Sequence, residues 1–135
     1  MIFGIGIDIT DVRRFRKWVL NPSMLSRFFN EHEQTEDGYV ASRDPEERRL
    51  SAVCQHYAVR FAAKEAFSKA LGTGITGFDL RDVYIEKTAE GKPELCVQNT
   101  AAEILSRRCG GARLFVSLSH EKEYAAAVVV IETGE

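Results

Sequence analysis

The stretch FGIGIDIT, Phe3 to Thr10, decides how the rest of the chain is read. At the two-residue period of a strand, Phe3, Ile5, Ile7 and Ile9 share one face, while Gly4, Gly6 and Asp8 share the other. Two glycines leave a bare backbone surface that a helix or a ligand can approach closely. A lone Asp after an apolar strand is commonly a turn or cap residue. Here it ends a cleared face, so a second reading, as one arm of a site, stays open beside the first.

The chain has 135 residues, enough for one domain spanning 1–135. With 44% hydrophobic and 28% charged residues, it can build a packed core. The net charge of −2 argues against a dedicated nucleic-acid binder, which would be strongly basic. Charge is nevertheless clustered: Arg13, Arg14, Arg16 and Lys17 lie together, and residues 31–37 are acid-rich. Cys54, Cys96 and Cys109 are odd in number and far apart, which speaks against a disulfide framework or a zinc knuckle and for a reducing cytoplasm. No stretch approaches the apolar length of a membrane span, and no signal segment opens the chain.

Beyond the first strand, residues 11–20 carry Val12, Phe15 and Val19 at helical spacing, and Asn21-Pro22-Ser23 interrupts them. A short helical piece at 24–29 and a polar loop at 30–44 follow. A long helix is expected over about 45–71. Asp44 can cap it, Pro45 suits its first position, Glu46 and Glu47 favour its positive end, and Gly72 and Gly74 stop it. Residues 83–86 and 94–97 flank a hairpin turn at 89–93. Thr100-x-x-Glu103 reads as a capping box for a helix at 101–108, and two strands at 113–119 and 124–131 close the chain. The expected class is α+β, a mainly antiparallel sheet packed on one long helix.

Within that helix, RFAAKEAFSKALGTG (60–74) has four alanines, Ala62, Ala63, Ala66 and Ala70, which make it thin. If it crosses the glycine face, Asp8 and Glu65 can converge. Two carboxylates with room for water suit Mg²⁺, a hard cation that takes its other ligands from water and phosphate. Lys64 and Lys69 would bring positive charge to those phosphates. The plainer reading is a surface Glu65–Lys69 pair at i, i+4, worth a few tenths of a kcal/mol. Ser117, Ser119 and His120 end a strand at a turn, where hydroxyls and an imidazole can meet phosphate or simply satisfy the hairpin.

Four motifs, GIGIDITDVRRF (4–15), RFAAKEAFSKALGTGI (60–75), GKPEL (91–95) and SLSHEKEYAAAVVVIE (117–132), occur in an order and spacing that resembles the holo-acyl-carrier-protein synthase family of 4′-phosphopantetheinyl transferases. The resemblance implies transfer of phosphopantetheine from coenzyme A, the co-substrate, to a serine of acyl carrier protein, with Mg²⁺ as cofactor and adenosine 3′,5′-bisphosphate as second product. It implies Asp8 and Glu65 as metal ligands, catalytic together with Lys64. Lys64 and Lys69 are implied as phosphate contacts, Ser119 and His120 as nucleotide-phosphate contacts, and Gly91, Lys92 and Pro93 as the loop beside the adenosine. Arg13, Arg14, Arg16, Lys17 and Arg27 resemble a docking surface for the acidic carrier; alone they read equally as a solvated basic face. The family is typically a homotrimer with coenzyme A between subunits. Glu65 or a metal-associated water could take the serine proton. The polar segment at about 32–50 is longer than the family's usual one. A non-catalytic binding module of the same fold, or a Mg²⁺-dependent phosphohydrolase, are the alternatives.

Overall fold

The computed structural model describes residues 1–35 and 47–134. Strand β1 (Ile2–Asp11) pairs antiparallel with β5 (Tyr124–Glu132), whose other edge pairs with β4 (Arg113–His120), giving the order β1-β5-β4. Strands β2 (Val83–Lys87) and β3 (Pro93–Val97) form a separate antiparallel hairpin, so the expected single sheet is divided in two. Helix α1 (Arg16–Val19) continues a 3₁₀ turn at Val12–Phe15, and α2 (Pro22–Phe28) starts with proline in its first turn. The long helix α3 runs over Glu47–Leu71. The expected capping residues Asp44, Pro45 and Glu46 lie outside the described residues. Helix α4 (Asn99–Arg108) begins after Gln98 without any side-chain cap, so the Thr100/Glu103 capping box does not form.

The glycines set how α3 meets the sheet. A Cβ on Gly4 would stand 1.9 Å from the Ala70 carbonyl oxygen, and one on Gly6 1.8 Å from that of Ala66. Only glycine permits this approach, and the alanines opposite permit it from the other side. Gly4, Gly6 and Asp8 therefore face inward under the C-terminal half of α3.

The core has two parts. One gathers Ala66, Phe67, Leu71, Val83, Ile85, Leu105 and Val129 around the C-terminal half of α3. The other gathers Phe15, Val19, Leu25, Phe29, Tyr57 and Phe61 around its N-terminal half. Val12, Phe15 and Val19 are buried as their helical spacing requires. The outer face of the three-stranded sheet is uncovered: Ile5, Ile7 and Ile9 are 61%, 62% and 66% exposed. Val128 and Val130 stand opposite Ile7 and Ile5, and Phe115 opposite Val130. No helix among the described residues is long and apolar enough to cross a membrane.

Candidate active site

Asp8 emerges where the glycine run ends, and α3 brings two charged side chains to it. Lys69 Nζ donates to Asp8 Oδ1 at 3.1 Å and to the Ile7 carbonyl at 2.9 Å. The i, i+4 pairing with Glu65 is therefore not the one Lys69 makes; its direct partner is Asp8. Glu65 lies within reach of both. Partial burial, and then the nearby charge of Asp8, push its carboxyl above the ordinary glutamate range, while Lys69 and Arg14 pull it back. Asp8 and Glu65 feel each other's charge, and the donors they offer are carboxylate oxygens. Among the described residues no cluster of three or more His, Cys, Asp or Glu side chains could hold a metal. A cation at Asp8 and Glu65 would thus complete its shell from water or phosphate, a donor set that fits Mg²⁺.

Lys64 is not brought to this cleft, which corrects its expected role as a phosphate contact. It sits one residue before Glu65, and the helix turns its side chain about 100° away. Its ammonium is fully buried and donates to Glu33 Oε1 at 2.5 Å, the Val83 carbonyl at 2.5 Å and the Leu80 carbonyl at 3.0 Å. An ammonium has three protons, so none is left for a phosphate. Glu33 is equally committed: Oε2 accepts from the Ile85 amide at 3.1 Å and Oε1 from the Asn30 amide at 3.2 Å. Burial lowers the Lys64 pKa, and the Glu33 charge opposes that drop. The pair joins the turn at Glu31–Glu33, helix α3 and strand β2 at the seam between the two core clusters.

A second concavity of about 410 Å³ lies along the N-terminal half of α3. Gly91, Pro93 and His120 line it. Lys92 instead lines a neighbouring groove beside Phe115. Ser119 pairs with Ala126 on the outer face, because successive strand residues alternate. Residues with no expected role complete the concavity: Gln55, His56, Arg60 and Lys87. Arg60 is 8% exposed, and its Nε has no hydrogen-bond partner among the described residues. Its Nη1 donates to the His56 carbonyl at 3.1 Å, and burial depresses its pKa. A buried guanidinium with an unused donor is suited to an anion. The sequence offered one signal for it: Arg60 and Lys64 are four apart on one helical face. Arg60 precedes Glu65 by five residues, about 140° around the helix, so this concavity and the carboxylate cleft face different ways within one subunit.

The basic residues cluster as expected on the N-terminal helical segment. Arg13 spends much of its charge on Asp11, at 2.8 Å, and holds that carboxyl below the usual range. The Arg14 guanidinium lies 5.3 Å from the Phe61 ring centroid and 5.7 Å from that of Trp18, next to the carboxylate cleft. Arg27 lies over Phe28. Arg16 and Lys17 are exposed.

The match to known proteins covers nearly the whole chain. Residues 4–129 match the model of the 4′-phosphopantetheinyl transferase superfamily. The chain is 46% identical to the holo-[acyl-carrier-protein] synthase of Treponema denticola, over 98% of this chain and 99% of that one. It is 43% identical to that of Geobacter sulfurreducens, over 98% of each. Among solved structures, a holo-(acyl-carrier-protein) synthase from Bacillus anthracis in complex with CoA (3′,5′-ADP) superposes with a TM-score of 0.69 at 34% identity, over 98% of both chains. The enzyme from Neisseria meningitidis gives 0.74 at 30%, over 98% of this chain and all of that one. The chain thus belongs to the 4′-phosphopantetheinyl transferase superfamily.

Proposed function

We infer that the protein transfers 4′-phosphopantetheine from coenzyme A to a serine of apo acyl carrier protein. The observation that carries this reading is the match to these enzymes over nearly the whole chain; the close approach of α3 to the Gly4–Gly6 face and the effect of the Asp8 charge on Glu65 support it. Mg²⁺ would be held by Asp8 and Glu65, and when bound it would offset the charge of the pyrophosphate. Lys69, half-exposed at the mouth of the cleft, is the lysine able to reach a phosphate oxygen. Glu65 is the protein group best matched to accepting the serine proton, since its carboxyl is already raised. Arg60, His120 and the Gly91–Pro93 turn would take the nucleotide end, with the unused Arg60 donor aimed at a phosphate. Arg14, Arg16, Lys17 and Arg27 would meet the acidic carrier, with Arg13 contributing what Asp11 leaves.

The two half-sites face apart within one subunit, and the isoleucine face of the sheet is uncovered. Both features support a homotrimer in which neighbouring subunits cover that face and complete the coenzyme A cleft. Three free cysteines suit a reducing cytoplasm. The test is intact mass: apo carrier protein, coenzyme A and Mg²⁺ with the protein should yield carrier heavier by one phosphopantetheinyl group. Binding without a mass change, or cleavage of coenzyme A without transfer, would overturn the assignment. Ile7→Glu should give monomers in sedimentation, and an unshifted assembly would remove the isoleucine face from the interface.

A further inference from the structure

Lys69 does something that a phosphate contact need not do. Its ammonium binds Asp8 Oδ1 and the Ile7 carbonyl at once, and so closes off one oxygen of the carboxylate pair. The contact is open to solvent: the Lys69 side chain is 53% exposed, against 18% for Asp8. The Asp8 charge bears on Glu65, and Lys69 and Arg14 offset it.

We propose that Lys69 is a resident counter-ion, which occupies Asp8 in the metal-free protein and is handed over to the phosphates of coenzyme A when a divalent cation takes that carboxylate. The inference rests on the reading of Asp8 and Glu65 as metal ligands. Its logic is exchange of one cation for another. Lysine offsets one of the two carboxylate charges, and competes with the metal by doing so. Once displaced, the ammonium is repelled by the cation beside it, and Glu65 is claimed by that cation too. The pyrophosphate of coenzyme A gives it a new partner. Metal and coenzyme A therefore strengthen each other's binding, and the strengthening is reciprocal. The free enzyme would hold metal poorly and load it with its substrate.

The experiment measures Mn²⁺ binding to the full chain by electron paramagnetic resonance at pH 8, without carrier protein, with and without coenzyme A. Lys69→Gln should tighten Mn²⁺ binding about tenfold in the absence of coenzyme A, the scale of one nearby charge in a half-exposed site. Lys69→Arg, which keeps the charge, should stay near wild type. With coenzyme A present, wild type and Lys69→Gln should bind Mn²⁺ alike, so the enhancement by coenzyme A shrinks about tenfold in the variant. Lys69→Met repeats the test should the glutamine make a new hydrogen bond to Asp8. If neither neutral variant tightens Mn²⁺ while Asp8→Asn has lost it, the counter-ion idea fails and the metal assignment stands. If Asp8→Asn binds Mn²⁺ as wild type does, both fall together.

Discussion

Helix α3 carries two lysine–carboxylate pairs little more than a turn apart, and they are built to opposite ends. Lys64 and Glu33 are both fully shielded from solvent, while Lys69 and Asp8 are 53% and 18% exposed. In the buried pair Lys64 gives two of its three protons to backbone carbonyls and the third to Glu33, which accepts from two backbone amides as well. In the open pair each group keeps a face toward water. A buried ion pair contributes little net stability over an apolar one, yet it is costly to break. An exposed pair is cheap to break and is therefore exchangeable. The first locks three chain segments in register; the second leaves a carboxylate that can change partners. Glu65 stands between them, positioned by one pair and electrostatically coupled to the other.

The largest expected effect comes from removing the open pair's carboxylate. Asp8→Asn should reduce transfer to the carrier by a factor of about 10³ or more, the scale at which positioned charge acts on a phosphoryl transition state. Its thermal midpoint should move by only a few degrees, because the lost partner, Lys69, can turn into water. A fall in activity that tracks a collapse of the melting curve would mean Asp8 serves the fold and would erase the contrast between the pairs. Next in size is the closed pair. Lys64→Met leaves the Glu33 carboxylate buried beside backbone carbonyls and should cost about 3–5 kcal/mol in denaturant unfolding. Replacing Glu33 by Leu in that background removes the stranded charge and should recover part of the loss. A single variant as stable as wild type would show that Glu33 is not held as described.

Local patterns in the sequence revealed which pairs exist far less well than they revealed the surface beneath them. The glycine face of β1 was readable because a missing Cβ has only a few explanations, and Ala66 and Ala70 supplied the complementary surface. The α+β class and the residues buried along Val12, Phe15 and Val19 followed from periodicity. What periodicity could not rank was Lys64 against Lys69, since both flank Glu65 and only tertiary packing decides which is enclosed. Glu33 did leave a trace. Asn30-x-x-Glu33 has the spacing of a capping box, and both of its reciprocal hydrogen bonds form. Thr100-x-x-Glu103 has the same spacing and forms none, because Gln98 starts that helix earlier. The motif states a local possibility, and the buried lysine above Glu33 selects it. Arg60 escaped notice for a similar reason, as its significance lies in what fails to bond with its Nε.

A smaller effect tests whether Arg14 belongs to the open side of the comparison. Its guanidinium packs on Phe61 and Trp18 and offsets part of the rise in the Glu65 pKa, so it lies between the cleft and the surface proposed for the carrier. Arg14→Glu should raise the Michaelis constant for acyl carrier protein about tenfold and flatten its dependence on salt, with the constant for coenzyme A little changed. If the coenzyme A constant rises instead, Arg14 acts on the cleft rather than on the carrier.

The smallest effect is the most diagnostic of a site kept open against its own stability. Burial and Asp8 raise the Glu65 pKa in the folded state, so ionising Glu65 works against folding. That penalty is absent below the carboxyl's unfolded pKa, near 4, and fully present once the pH exceeds the raised folded value. Glu65→Gln should therefore melt about 1–2 °C higher than wild type at pH 7–8 without metal, with the difference vanishing toward pH 4. Added Mg²⁺ should reverse the order. A ligand that binds only the folded state raises its midpoint, and wild type retains both carboxylates while the variant does not. A variant that melts lower at every pH, with or without Mg²⁺, would show that Glu65 is held by ordinary stabilising contacts, and that the cleft stores no electrostatic cost for a metal to relieve.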